Sequence, residues 1–152
     1  MSLQIRQANP FDLPALITLY TVLAPQEQAM PPDKAASIFG KIQSYPNYKI
    51  FLALRDNSIV GTYSLLIMDN MAHKGVPSAI VENVVVHPKF QSQGIGRSMM
   101  RHAMTEARAC GCYKLVLSSN KVRVDAHRFY EKLGFKQHGI SFQVDLDHHK
   151  NS

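Results

Sequence analysis

Apolar and polar residues alternate along the chain in short blocks that predict strands and amphipathic helices in turn. Leu3 and Ile5 are separated by polar residues, which is typical of a half-buried strand. The stretch Asn9-Pro10-Phe11-Asp12 follows. It has the features of a helix start, with a capping side chain, a proline in the first turn and an acid near the positive end of the helix dipole. We therefore predict a first helix that ends at about Leu23.

A second helix is expected after Pro25, Pro31 and Pro32 interrupt the chain. Asp33 can cap it, and its apolar face is formed by residues at helical spacing, namely Ala35, Ile38, Phe39 and Ile42. The interrupted segment is either an ordinary connection between helices or a loop that borders a pocket. The sequence leaves both interpretations open.

The middle and the end of the chain predict further strands and helices. Residues 48–54 and 59–68 favour strands, and Asp56-Asn57-Ser58 between them favours the turn of a hairpin. Later strands are predicted at 79–86, 113–118 and 141–146, and helices at 94–109 and 125–133, the last ended by Gly134. This order indicates a mixed α/β class in which successive antiparallel strands form most of the sheet.

Length and composition favour one domain. The chain has 152 residues and is 45% hydrophobic, which is enough for one sizeable core. We expect this domain to span 1–147, followed by a polar tail at 148–152. No apolar run approaches the roughly 20 residues that a membrane span needs, and the first residues lack the pattern of a signal peptide. A cytoplasmic protein without membrane contact is the expectation.

The charge balance suggests an anionic partner. Lys and Arg exceed Asp and Glu by 17 to 11, which gives a formal net charge of +6. The basic residues are scattered and no nucleic-acid-binding signature is present, so we expect no nucleic-acid partner. A polyanionic cofactor would explain the same sign of charge, as would a basic surface without any specific partner.

Cysteine and histidine give little indication of a metal site. Cys110 and Cys112 are two apart, a spacing typical neither of a metal site nor of a disulfide framework, so we expect reduced packing residues. His148 and His149 are adjacent but have no third ligand in view. No metal is expected.

The stretch from Val84 to Met100 carries the first functional signal. Three valines favour a buried strand, and His87-Pro88 ends it because proline lacks a backbone donor. Gly94 and Gly96 follow, and then an apolar face at helical spacing. A strand, a glycine loop and a helix in this order leave backbone amides free at the positive end of the helix dipole. Such an arrangement favours binding of a phosphate group.

The spacing excludes two common phosphate loops. A dinucleotide fingerprint requires a third small residue where Met99 stands, and a Walker loop requires Gly-Lys-Ser/Thr where Gly96 is followed by Arg97-Ser98. The pattern that remains is Gln91-x-x-Gly94-x-Gly96. Its amides could surround a pyrophosphate, although glycines that merely turn the chain would give the same letters.

A second motif lies between Asp125 and Phe135. Its apolar residues Ala126, Phe129, Tyr130 and Leu133 form one helix face, which is what a packing role alone requires. A buried phenol at Tyr130 also needs a hydrogen-bond partner, and packing alone does not supply one.

Together the two motifs resemble the GNAT superfamily of N-acetyltransferases, which transfer an acetyl group from acetyl-CoA to an amine. The matching residues are Val84-Val85-Val86-x-Pro88, Gln91-x-x-Gly94-x-Gly96 and Ala126-x-x-Phe129-Tyr130-x-x-x-Gly134-Phe135. The resemblance covers nearly the whole chain and is weakest from Pro25 to Lys49. It implies a twisted, mostly antiparallel sheet of about six to seven strands with about four helices, splayed around the acetyl-CoA site.

The resemblance also implies cofactor-binding residues. The backbone of Val84, Val85 and Val86 would pair with the pantetheine arm like an added strand. The pyrophosphate would be held by the loop Gln91, Ser92, Gln93, Gly94, Ile95, Gly96 and Arg97. Asn120, Arg123 and Tyr130 would approach the cofactor from the next segment, although many members have Asn where this chain has Arg123.

The reaction requires acid and base groups. An alkylammonium has a pKa of about 10.4 and must lose a proton before it attacks, and Glu82, two residues before Val84, is our candidate base, directly or through water. An exposed strand acid without a function would look the same. An amide released by a bulge near Val84 would stabilise the oxyanion, and the Tyr130 phenol would protonate the departing thiolate. We expect direct transfer without an acetylated cysteine.

The acceptor is predicted less closely. Short matches to aminoalkylphosphonate and glucosamine-6-phosphate acetyltransferases favour a small polar amine over a protein N-terminus or lysine. A noncatalytic acyl-CoA-binding regulatory module is the alternative from another class. A homodimer is a further expectation from the resemblance.

Overall fold

A computed structural model of the protein describes residues 2–146. The chain divides into two compact units, Met1–Leu117 and Ser118–Ser152. The adjacent histidines His148 and His149 lie outside the described residues.

The first unit contains a five-stranded sheet with the strand order β1-β2-β3-β4-β5. The first four strands pair antiparallel, and β5 pairs parallel to β4. The elements in chain order are β1 Leu3–Gln7, α1 Leu13–Leu23, α2 Pro32–Ser44, β2 Tyr48–Arg55, β3 Ser58–Met68, β4 Ser78–Val86, α3 Ile95–Ala109 and β5 Leu115–Val116. The mixed class and the helices are confirmed.

The expected number of strands was too high. Residues 2–146 form five strands rather than six to seven. The strand predicted at 113–118 shortens to Leu115–Val116, and residues 141–146 have no regular secondary structure. A strand forms only against a partner, and the apolar side chains of the last segment remain exposed, Phe142 by 90%. Alternation alone does not show whether a partner strand exists.

The predicted hairpin of β2 and β3 is confirmed by its turn. Arg55 pairs with Ser58, so that Asp56 and Asn57 form a two-residue loop. Both have positive φ, 49° and 64°. This is the geometry of a type I′ turn, for which Asn and Asp are favoured and which matches the twist of the strands.

The predicted Asn9 cap forms on a short 3-10 turn, Pro10–Asp12, that leads directly into α1. The Asn9 side chain accepts a hydrogen bond from the Phe11 amide, and the Asp12 carboxylate accepts one from the Asn9 amide. Arg6 donates two hydrogen bonds to the buried Asp12, at 2.7 and 2.9 Å, and these bonds lower the pKa of that carboxyl. At α2 the prediction was wrong in one detail, because Pro31 is the capping residue and Asp33 lies within the first turn.

Helices cover both faces of the sheet. On one face, α1 and α2 contribute Leu16 and Phe39 to a core with the β2 residues Ile50, Leu52 and Leu54. On the other, α3 buries the residues that recur along one helix face, namely Ile95, Met99, Met100, Ala103 and Ala107. The two faces therefore have different partners, and strand alternation decides which side chain meets which helix.

A polar cluster lies under α3. The Tyr63 hydroxyl shares a hydrogen bond of 2.6 Å with Nδ1 of His102, and Phe51 stacks on Tyr63 with ring centroids 5.3 Å apart. Nε2 of His102 lies 3.6 Å from the Glu106 carboxylate. Burial lowers the pKa of His102 and raises that of Tyr63. Both groups are therefore neutral at pH 7.

The second unit contains α4, Val124–Lys132. Gly134 has a φ of 97°, and the Phe135 amide donates to the Tyr130 carbonyl at 3.1 Å. A glycine in the left-handed region lets the chain turn back onto the last helical carbonyls, so the predicted helix stop at Gly134 is confirmed.

Candidate functional site

A bulge interrupts β4 next to Val84. Val85 pairs with Thr62 and Glu82 pairs with Ser64, so Asn83 and Val84 together oppose the single residue Tyr63. Asn83 has a φ of 53°, in the left-handed region. The bulge predicted near Val84 is therefore confirmed as a structural feature. A bulge turns a backbone amide out of the ladder and makes it available to another acceptor.

The other edge of β4 is open in the first unit. β5 pairs only with Ala79 and Ile80. Among the described residues of that unit, the edge from Val81 to Val86 has no strand beside it. Backbone groups on such an edge can pair with an extended ligand as they would with another strand.

The loop before α3 has the geometry of an anion site. Ser92 and Gly94 both have positive φ, 62° and 81°, and Gly94 caps α3 without any side-chain hydrogen bond to its amides. The first helical hydrogen bond to the cap runs from the Ser98 amide to the Gly94 carbonyl at 3.1 Å. The amides of Ile95, Gly96 and Arg97 belong to the first turn, where a helix provides no internal acceptor. A phosphate oxygen would satisfy them.

Two glutamine side chains of this loop donate hydrogen bonds to nearby backbone carbonyls. Gln91 donates to the Val86 carbonyl at 3.2 Å, and Gln93 donates to the Lys89 carbonyl at 3.4 Å. The Arg55 guanidinium donates to the Gln93 side chain in turn. Both glutamine side chains are thus engaged within the protein, and the loop can offer a ligand mainly its backbone and the exposed Arg97.

Glu82 is exposed on β4, directly across the ladder from Ser64. Directly paired residues of antiparallel strands carry their side chains on the same face. Tyr63 contacts α3, so Ser64 and Glu82 face the side of α1 and α2. Within residues 2–146 no hydrogen bond or ion pair engages the Glu82 carboxylate, which leaves its oxygens available to a ligand.

A cavity of about 490 Å³ lies on that same face of the first unit. Its wall is made by α1, α2, the segment between them and the inner strands. The lining residues are Leu13, Leu16, Ile17, Tyr20, Thr21, Leu23, Ala24, Glu27, Gln28, Ala29, Met30, Ala35, Ile38, Phe39, Ile42, Tyr48, Ile50, Ser64 and Asn83. Because residues 27–30 belong to this wall, the segment between the helices borders a pocket, which answers the question that the sequence left open.

The cavity ends at polar groups on the sheet. Ser64 is 2% exposed, and its hydroxyl has no hydrogen-bond partner among the described residues. The Tyr20 phenol lies beside this hydroxyl. Burial raises the pKa of the phenol, and the Ser64 hydroxyl acts in the opposite direction, although the two groups do not form a hydrogen bond of good geometry. Asn83 adds the bulged backbone to the same wall. An unpaired buried hydroxyl facing a cavity is a group that a ligand can satisfy.

Sequence reasoning missed Tyr20, Tyr48 and Ser64. Tyr20 and Ser64 stand among apolar neighbours in patterns that packing explains, and only the folded sheet brings them to one wall. The signal that could have found the cavity was the proline-rich interruption beginning at Pro25, since its irregular backbone needs a surface or a cleft.

Tyr130 lies on α4 in the second unit. Its ring makes edge contacts with Phe129 at 5.2 Å and Phe135 at 5.7 Å between centroids. Burial raises the pKa of its phenol, and the charge of Arg123 acts weakly in the opposite direction. The phenol is protonated at pH 7 and can donate a proton.

Asn120 and Arg123 lie just before α4. The Asn120 side chain accepts a hydrogen bond from the Val122 amide at 3.1 Å. The backbone carbonyl of Asn120 accepts one from the Arg123 amide at 3.0 Å. The Asn120 carbonyl also lies 2.9 Å from Nε2 of His127. The asparagine thus shapes the turn, while Arg123 is exposed.

The two cysteines are free thiols near the C-terminal end of α3. Cys110 is exposed and is not the packing residue that we predicted, whereas Cys112 is half-buried and burial raises its pKa. The helix has 15 residues, which places its two ends about 22 Å apart. The thiols are therefore far from the glycine loop.

Other kinds of site find no support in residues 2–146. No group of three or more His, Cys, Asp or Glu side chains there could hold a metal ion. None of the described helices combines the length and the apolar character needed to cross a membrane.

Comparison with known proteins gives a consistent result. Residues 14–135 match the sequence model of the acetyltransferase (GNAT) family. An aminoalkylphosphonate N-acetyltransferase from Salmonella typhimurium is 34% identical over 94% of this chain and 91% of its own length. A glucosamine 6-phosphate N-acetyltransferase from Trypanosoma brucei brucei is 34% identical over 64% of this chain, and the match spans 65% of that protein. A solved structure from Agrobacterium tumefaciens, described as an acetyltransferase, superposes with a TM-score of 0.90 at 35% identity, over 94% of this chain and 99% of the other.

Proposed function

We infer that this chain, which belongs to the acetyltransferase (GNAT) family, transfers the acetyl group of acetyl-CoA directly to the primary amine of a small molecule. The observation that carries the proposal is the cavity that ends at the β4 bulge. Asn83 lines it, the Glu82 carboxylate lies on the same sheet face and the open edge of β4 begins beside it. An acceptor in the cavity and a thioester along β4 would meet there.

The first unit fits the cosubstrate. The open edge at Val84, Val85 and Val86 suits the amide-bearing pantetheine arm, and the amides from Ser92 to Arg97 suit its pyrophosphate. When bound, acetyl-CoA supplies an acyl group activated as a thioester. The positive net charge of the chain favours binding of such a polyanion.

Glu82 is proposed as the base. The acceptor arrives as an ammonium and becomes a nucleophile only when it loses a proton. The Glu82 carboxylate has no competing partner among the described residues and can take that proton directly or through water. The bulged backbone at Val84 is proposed to donate a hydrogen bond to the developing oxyanion.

Tyr130 is proposed as the acid that protonates the departing thiolate. Its protonated phenol at pH 7 supports this role. Asn120 and Arg123 are proposed to contact the cosubstrate as well, Arg123 through its exposed guanidinium. The remote thiols support direct transfer, and detection of an acetylated Cys110 or Cys112 would contradict it.

Candidate acceptors come from the relatives. Proteins named for aminoalkylphosphonate and glucosamine 6-phosphate suggest that an amine of similar size is used here. Acetylation of a peptide N-terminus, and an acyl-CoA-binding module without catalysis, are the alternatives. A cytoplasmic location stays a proposal.

A homodimer is also proposed. In the last described segment every second residue exposes an apolar side chain, namely Ile140, Phe142, Val144 and Leu146. This pattern supports pairing with a strand of a second copy of the chain. Light scattering of the purified protein tests this, and a monomer at all concentrations would contradict it.

Thiol release from acetyl-CoA in the presence of single amines tests the function. We expect turnover with small amines, little with peptides, and a loss of turnover in Glu82→Gln and Tyr130→Phe without loss of acetyl-CoA binding. Tyr113→Phe, a substitution at an exposed tyrosine of the first unit, is the matched control. Tight acetyl-CoA binding without thiol release for any amine would support the noncatalytic module instead.

A further inference from the structure

We propose that the acceptor is a primary amine with an apolar alkyl or aryl body, and that the cavity selects against a phosphate or phosphonate group. This inference rests on the proposed function and names the acceptor class. The composition of the cavity wall supports it.

The wall is largely hydrocarbon and has no cationic side chain. Leucine, isoleucine, alanine, methionine and phenylalanine make up most of its residues, and neither lysine nor arginine is among them. A phosphate that leaves water needs cations or several hydrogen-bond donors to replace its hydration. The wall does carry hydrogen-bond donors, on Tyr20, Thr21, Gln28, Tyr48, Ser64 and Asn83, but no cation among the described lining residues would neutralise the phosphate.

Charges and helix ends around the cavity oppose an anion as well. Within residues 2–146, Glu27 is the one charged residue of the lining. The C-terminal end of α1 meets the wall at Leu23 and Ala24, and no basic residue lies in its last turn to offset the negative end of the dipole. The cavity therefore attracts an arriving ammonium and repels a phosphate.

The start of α2 is a poor anion site despite its positive dipole end. It flanks the cavity, since Met30 and Ala35 both line the wall. Pro31 and Pro32 lack the backbone donors that an anion would use, and Asp33 in the first turn offsets the charge of the neighbouring Lys34. The start of α2 therefore offers a phosphate fewer backbone donors than an ordinary helix N-terminus does.

Three polar residues of the wall lie where the amine must react. Ser64 carries a buried hydroxyl without a partner and lies across the ladder from Glu82. Tyr20 and Asn83 lie at the same wall. If the amino group is held there, the rest of the molecule lies against the side chains of α1 and α2. The cavity has a volume of about 490 Å³, which is within the usual range for small-molecule pockets.

A matched amine panel tests the proposal. We expect kcat/KM for phenethylamine and hexylamine to exceed that for 2-aminoethylphosphonate and glucosamine 6-phosphate by at least about tenfold, since a pocket interaction of about 1.4 kcal/mol gives that ratio. A preference for either phosphorus-containing amine would overturn the proposal. Ligand-observed NMR gives a reading that does not depend on turnover. Binding of phenethylamine but not of 2-aminoethylphosphonate supports the acceptor class even if the proposed catalysis fails, and binding of neither amine overturns it.

A charge placed in the wall tests its location. Met30→Lys adds a cation at a partly exposed lining residue, whereas Met71→Lys adds the same cation at a fully exposed residue outside the wall. We expect Met30→Lys to lower kcat/KM for phenethylamine at least fivefold and to raise it for 2-aminoethylphosphonate, with Met71→Lys unchanged. Equal effects of the two variants would overturn the proposal.

Discussion

Removal of the Ser64 hydroxyl should stabilise the protein and impair it at once. Ser64 is 2% exposed, and its oxygen has no hydrogen-bond partner among the described residues. Folding therefore buries this hydroxyl beside the Tyr20 phenol without a hydrogen bond of good geometry. Ser64→Ala deletes the group and leaves only a small space, because serine and alanine differ by one oxygen atom.

The expected gain follows from the cost of an unpaired buried polar group, about 1–3 kcal/mol. The cavity beside Ser64 is open enough for partial hydration, so we expect the lower part of that range, about 1 kcal/mol. For a chain of this length such a gain raises Tm by about 2–4 °C. If the hydroxyl contacts the acceptor, KM for the amine should rise severalfold in the same variant.

Thr62→Val is the matched control. Thr62 lies two residues away on the same strand face, is equally buried and donates a 2.8 Å hydrogen bond to the Phe51 carbonyl. Removal of this satisfied hydroxyl leaves the carbonyl without that donor and should lower the free energy of unfolding by about 1 kcal/mol. The two substitutions are thus expected to change the free energy of unfolding in opposite directions.

Urea unfolding and amine saturation curves measure both effects. A Ser64→Ala protein that is less stable than the wild type would show that the hydroxyl is satisfied in the folded state. A protein that is more stable but has an unchanged KM would show that Ser64 is buried beside the acceptor site without contacting the acceptor. The first result would refute the unpaired hydroxyl, and the second would refute its contact with the acceptor.

Three further predictions concern catalysis, pH and packing. Tyr130→Phe should lower kcat by about 10²–10⁴-fold at pH 7 with acetyl-CoA affinity unchanged, and a full rate would exclude Tyr130 as the acid. Burial lowers the pKa of His102, so the unfolded chain binds the proton more readily. The free energy of unfolding should therefore fall as the pH drops below about 6.5, and this slope should be smaller in His102→Gln. A Cβ at Gly61 would lie 3.1 Å from the Met99 sulfur, so Gly61→Ala should destabilise the protein by about 1–3 kcal/mol in urea unfolding. Gly40→Ala, in an open helical position, should be neutral or stabilising by up to about 1 kcal/mol, and equal losses in both would contradict the packing argument.

Local patterns were sufficient for most elements of this protein. The turn at Asp56-Asn57, the cap at Asn9 and the helix stop at Gly134 depend on residues within a few positions of each other, so the sequence alone predicts them. The glycine loop belongs to the same class, since its free amides follow from the start of α3. Family membership could be recognised for the same reason, because both motifs are contiguous.

Pairing between distant segments was decided by the tertiary structure. The bulge at Asn83 was expected from the family resemblance, but its register against Tyr63 is visible only in the paired strands. The last segment at 141–146 has strand periodicity and no strand, because a ladder requires a partner that periodicity does not specify.

The lining of the proposed acceptor cavity is also visible only in the fold. The sequence favoured a small polar amine through short matches to acetyltransferases of phosphorylated and phosphonylated amines. Net charge is a sum over the whole chain, whereas a ligand meets only the groups that line its pocket. The packing of α1 and α2 against β3 brings together Tyr20, Glu27 and Ser64 with an apolar wall. Their proximity depends on side-chain contacts between segments far apart in the chain, and no local pattern encodes those contacts.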